Sequence, residues 1–89
     1  MAKLTTNQKK SIAREWMARL SSDRTPVPIN KVQIDALITL SDDAQETQDT
    51  TVYQAAVAAD ADIAAWVLAN TGIIRELFEI VARERKENI

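Results

Sequence analysis

Apolar positions recur at helical spacing along most of this chain. From Thr50 to Asn88 they hold a single phase. Advancing about 100° per residue from Ile63, Val52, Ala56, Ala59, Trp66, Val67, Ile74, Leu77, Phe78 and Val81 fall on one side. Gln54, Glu76, Glu79 and Arg83 lie opposite. The segment has no proline and one glycine, so residues 51–87 read as a long amphipathic helical region. Its constant phase across Asn70-Thr71-Gly72 favours a continuous or mildly kinked helix. The competing reading is a break at 70–72, because asparagine and glycine tolerate the left-handed conformation that ends helices.

These readings predict different molecules. Roughly 37 helical residues would span about 55 Å, whereas a compact chain of this length is only about 30 Å across. An unbroken helix therefore projects and exposes its stripe, which needs a partner, most simply a second copy. A broken one folds back into a monomeric bundle.

Upstream, Thr5 and Gln8 have the spacing of a capping box, which starts a helix over about 6–20. Ile12, Ala13, Trp16, Met17 and Leu20 share its apolar face, with Lys10 and Arg14 elsewhere. Pro26 and Pro28 make 21–30 a loop. Asn30 and Gln33 form a second box, Ile29 can staple onto Ile34, and a helix over about 31–40 buries Ile34, Leu37 and Ile38. Residues 41–50 read as an acidic loop, after which Thr51 and Gln54 cap the long region. The expected fold is all-α, a single domain of three helices, or four if the last one breaks.

Composition makes the core thin. The chain of 89 residues is 46% hydrophobic, but fourteen of those residues are alanine and only Trp16, Tyr53, Trp66 and Phe78 are aromatic. Such a core favours oligomerisation or docking. Without cysteine there is no disulfide framework or thiolate, and without histidine the commonest metal ligand and proton shuttle are missing. Polar residues follow Met1-Ala2-Lys3-Leu4, and no apolar run approaches membrane-spanning length. A protein made and kept in a cytoplasm, or in something assembled there, is expected.

Charge is unevenly placed. Residues 1–31 carry a net +5, residues 32–62 carry −7 with no base, and residues 63–89 balance. The basic head and acidic middle can therefore attract each other, within one chain or between copies.

Candidate chemistry mostly fails on inspection. The acidic run Asp42-Asp43-Ala44-Gln45-Glu46 lacks the glycine and ligand spacing of a calcium loop. Glu76 and Glu79 share a face, yet a di-metal bundle site also needs histidine. With Arg75 and Arg83 they read as surface ion pairs. No glycine-rich turn cradles a phosphate or exposes a nucleophile. Neither enzyme activity, a metal nor a cofactor is expected. Lys9, Lys10 and Arg14, supported by Lys3 and Arg19, offer phosphate contacts, which makes nucleic-acid association the rival function. Against it stand an acidic pI near 5.0 and a proline-containing connector too long for a helix-turn-helix. Trp66 suits either an interface anchor or the core. Asn70 either fixes register within the stripe or marks the break.

A short Met-Ala-Lys-Leu-Thr start, a capped first helix, a polar connector and the Ala-rich run from Ala55 to Trp66 resemble small helical structural proteins from the virion modules of tailed bacteriophages. The resemblance implies a repeated subunit of a head, neck or tail, held by helix packing and basic-to-acidic contacts, and a virion location. It rests on character rather than a motif and transfers no functional residue.

The expectation is thus a non-enzymatic assembly protein, self-associating or bound to other structural proteins. Its packing surface would be Ile63, Trp66, Val67, Asn70, Ile74, Leu77, Phe78 and Val81. Its charged contacts would set Lys9, Lys10 and Arg14 against Asp42, Asp43, Glu46 and Asp49. The alternative is a small nucleic-acid-associated or regulatory protein using its basic first helix.

Overall fold

Both capping boxes form. A computed structural model, describing residues 3–22, 30–69 and 72–88, places Thr5 ahead of α1 (Thr6–Ser22). The Thr5 amide donates to Gln8 Oε1 at 2.9 Å and the Gln8 amide to Thr5 Oγ1 at 3.1 Å. Asn30 and Gln33 repeat the arrangement at the start of α2 (Lys31–Thr47), at 2.8 and 2.9 Å. Each box satisfies two backbone amides that a helix start leaves without partners. The proposed staple partner Ile29 lies outside the described residues.

The second helix does not stop near Leu40. Residues 41–47 continue it, which corrects the acidic loop expected over 41–50. The inward positions run on at helical spacing as Ile34, Leu37, Ile38, Ser41 and Ala44, so one face keeps packing although its residues become polar. The helix ends at Gln48, whose left-handed backbone (φ 58°) directs its N–H to the Ala44 carbonyl.

The long C-terminal helix is also corrected, because it breaks twice. It becomes α3 (Thr51–Ala59), α4 (Ala61–Ala69) and α5 (Ile73–Lys86). Gly72, at φ 91°, precedes α5 in the conformation anticipated for a break there. The other break, at Asp60, is unanticipated and bends α3 against α4 by 101°. Asp60 is extended (φ −96°, ψ 110°), and its Oδ1 accepts the amides of Asp62 and Ile63 at 3.0 and 3.1 Å. It is the N-cap of α4. Gln33 of the second capping box reaches across to the same carboxylate at 3.0 Å. The cap expected from Thr51 with Gln54 does not form: the N-cap of α3 is Thr50, without a side-chain cap bond, and Asp49 just upstream accepts the Thr51 amide and hydroxyl at 2.9 and 2.6 Å.

Shared phase therefore does not mean one helix. Three short helices each turn their apolar side to a common core, and this reproduces the periodicity of an unbroken stripe. The described residues form five helices and no strand. The fold measures 36 × 27 × 20 Å, with no helix projecting from it. Helix α2 is the hub, with α1, α3 and α5 packed on it.

Trp16, Ile12, Ile34, Leu37, Ile38, Leu77 and Val81 are almost fully inaccessible. Trp16 meets Trp66 edge-on with ring centroids 5.5 Å apart, and Tyr53 meets Phe78 in the same manner at 4.8 Å. These pairs tie α1 to α4 and α3 to α5. The four aromatics thus pack with a core filled otherwise mainly by isoleucine, leucine and valine.

Candidate functional site

Two charged constellations organise the molecule's polar groups. The first is buried. Asp42 on α2 is wholly inaccessible, and its carboxylate accepts the Leu4 amide at 3.2 and 3.3 Å together with Nη1 of Arg85 from α5. Arg85 Nη1 also donates to the Asp42 carbonyl at 3.1 Å, while Nη2 pairs with Glu46 at 2.9 Å. Burial pulls the Arg85 guanidinium downward in pKa, but its hydrogen bonds to Glu46 and Asp42 leave it above its usual value. A permanently charged fork thus meets two carboxylates, Nη1 donating to Asp42 and Nη2 to Glu46.

Around this pair the chain ends are latched. Lys3 bridges Asp43 at 3.1 Å. Asn88 donates to the Lys3 carbonyl at 2.9 Å and to Gln8 Oε1 at 2.6 Å, while Gln8 Nε2 returns to Asn88 Oδ1 at 3.0 Å. The start of α1, the last turns of α2 and the end of α5 are joined in one network.

The second constellation is open. Helices α1 and α2 bound a groove of about 500 Å³. Thr6, Lys9, Lys10, Ala13, Arg14 and Met17 form one wall, and Lys31, Asp35, Ile38 and Thr39 the other. Ala13 and Ile38 are buried and Met17 is half-buried, so apolar atoms lie between the three cations of the α1 wall and Lys31 on α2. Among the described residues, none of Lys9, Lys10, Arg14 or Lys31 takes part in an ion pair. The groove holds one carboxylate, Asp35, against four cations.

The anticipated charged contacts are thus redistributed. Asp42 and Glu46 go to Arg85, Asp43 to Lys3, and Asp49 to the start of α3. Within the chain, Lys9, Lys10 and Arg14 meet none of them. The anticipated packing residues are mostly interior. Ile63, Trp66, Leu77 and Val81 are buried, and Val67, Ile74 and Phe78 pack against the same core. Asn70 lies outside the described residues. Among the described residues, the large apolar side chains left exposed are instead Val32, Val52 and Leu68, the last 84% accessible.

Sequence reasoning missed Arg85, which reads as part of a solvated charged end, and the second wall of the groove. Lys31, Asp35 and Ile38 do carry a signal, because their four- and three-residue spacing puts them on one helical face. Among the described residues, no cluster of three or more acidic side chains has the geometry to hold a metal ion, and no single helix is long and apolar enough to cross a membrane.

The described residues thus form an all-α domain with a cationic groove of partly apolar lining. No protein-family model, curated protein or solved structure matches the chain.

Proposed function

We propose that the protein is a non-enzymatic assembly module, a small structural subunit that docks onto another protein. One observation carries this reading. The acidic segment Asp42-Asp43-Glu46 finds its cations internally, in Lys3 and Arg85, whereas among the described residues no carboxylate pairs with the four cations of the α1–α2 groove. A charged surface left uncompensated in this way is electrostatically complementary to something else. A role within a larger particle, such as a phage head, neck or tail, fits the resemblance in the sequence. A different protein is favoured over self-association through the C-terminal stripe, since Ile63, Trp66, Leu77 and Val81 already serve the chain's own core.

Nucleic acid is the second reading, supported by the same cations. It lacks a stacking surface, because Trp16, Tyr53 and Trp66 are buried and Phe78 is half-buried. Titration with duplex DNA at physiological salt separates the two. No measurable affinity is expected. Salt-sensitive binding that collapses on reversing Lys9, Lys10 and Arg14 would overturn the assembly reading.

A further inference from the structure

We infer that the α1–α2 groove receives an acidic amphipathic helix from a different protein. The inference deepens the assembly reading and rests on it. The wall from Thr6 to Met17 runs along one face of α1 for about 16 Å, and that from Lys31 to Thr39 along α2 for about 12 Å. A groove of that length takes two to three turns of a third helix laid between the first two. Its floor dictates the occupant's chemistry. Ala13 and Ile38 close the base, and the apolar surface a ligand can reach comes from half-buried Met17, a flexible thioether suited to varied apolar side chains, and from the aliphatic stems of the flanking cations. The three cations of the α1 wall call for negative charge along that side, and Lys31 for a further carboxylate near the start of α2. A helix with a leucine-like stripe flanked by glutamates satisfies both demands, which a phosphate backbone does not, since it leaves the apolar floor uncovered.

A second copy of this chain is a poor source of that helix. Its acidic segment, residues 41–47, is turned inward and engaged. Asp42 and Glu46 hold Arg85, and Asp43 holds Lys3. Releasing them would dismantle the latch that closes the fold. The carboxylates of that segment are therefore not the ones the groove receives.

The test is fluorescence anisotropy on the full chain with a labelled synthetic peptide of about five helical turns, leucines at helical spacing and glutamates flanking them. Three comparisons accompany it: the same composition with leucines scattered, duplex DNA, and the patterned peptide in high salt. The patterned peptide should bind and the scattered one should bind at least about tenfold more weakly. Lys10→Glu with Arg14→Glu should lower affinity about tenfold or more, whereas Arg75→Glu with Lys86→Glu, an equal change of charge away from the groove, should leave it unchanged. Thermal melts of both double variants establish that each is folded. Equal binding of the two peptides overturns the amphipathic helix but leaves an acidic protein partner standing. Binding of DNA without peptide overturns the inference and the assembly reading together. No binding of the patterned peptide overturns the inference alone, and the DNA titration then decides the broader reading.

Discussion

The latch and the groove contain the same kinds of side chain and use them in opposite ways. In the latch, Arg85 is almost wholly desolvated, and every charge it meets lies within the chain. In the groove, Lys10, Arg14 and Lys31 are exposed and paired with nothing among the described residues. Burial decides the energetic weight of each. A buried ion pair is costly to create and costlier to break, because removing one partner strands the other without water. Exposed cations repel one another weakly through solvent and are cheap to change. The latch should therefore weigh on stability, whereas the groove's cations are available for the proposed docking.

Breaking the latch should have the largest effect. Asp42→Ala removes the acceptor of the Leu4 amide and half of the Arg85 clamp, and should destabilise the fold by about 3 kcal/mol in urea denaturation. The value sits at the low end of the usual range because Glu46 still holds Nη2 of Arg85. Loss of α2 helicity by circular dichroism should accompany it, since residues 41–47 lean on this contact. If the variant melts like the parent, the buried pair is not what holds the ends together.

Replacing both partners sharpens the point. Asp42→Leu with Arg85→Leu removes the fully buried pair together and leaves only Glu46, which solvent reaches, without its cation, so it should cost less than the two single changes added, with a coupling of about 2 kcal/mol. Additive costs would mean that the two side chains act independently. The Leu4 amide loses its acceptor in the double variant as well, which keeps full recovery out of reach.

Much of the fold is legible in the sequence because its signals are local. Thr5 with Gln8 and Asn30 with Gln33 announce helix starts within four residues, and Ile12, Trp16, Ile34, Leu37 and Val81 take the interior places their spacing assigns. What is hidden depends on distance. Residues 41–47 look like a solvated loop until Lys3 and Arg85, some forty residues away in each direction, neutralise them. Asp60 looks like a surface residue of a continuous helix, although aspartate is among the best N-caps and its carboxylate takes two amides of α4. Periodicity cannot separate one long helix from three short ones facing a common core. The cations of the first helix stand out in the sequence, but the groove needs Lys31 and Ile38 from a second element, and only packing brings them opposite.

A smaller effect should appear in acid. Asp49 lies below the usual carboxylate range because of hydrogen bonds from the Thr51 side chain and amide. Asp60 is lowered by the Gln33 side chain and by the α4 amides. A carboxylate with a depressed folded pKa stabilises the fold in full above its unfolded value, about 3.9, and loses that contribution as pH falls through the folded value. The melting temperature should therefore drop by a few degrees below that pH. Asp60→Asn keeps a competent cap but removes the titration, so it should flatten part of this slope. An unchanged slope would show that Asp60 is not held by its ionised form.

The smallest effect on stability should come from the groove itself. Lys10 and Arg14 are exposed and make no ion pair among the described residues, so Lys10→Glu and Arg14→Glu should each change unfolding free energy by less than about 0.5 kcal/mol. The sign is informative. Reversing one cation in a cluster of four relieves like-charge repulsion and offers a carboxylate to Lys9 or Lys31, so low-salt stability should hold or rise slightly, with the difference vanishing as salt screens it. A loss of several kcal/mol would mean that these side chains brace α1 against α2, placing the groove with the latch as architecture. A neutral result combined with lost peptide affinity would separate the two regions cleanly: one set of charges holds the chain together and the other faces outward for a partner.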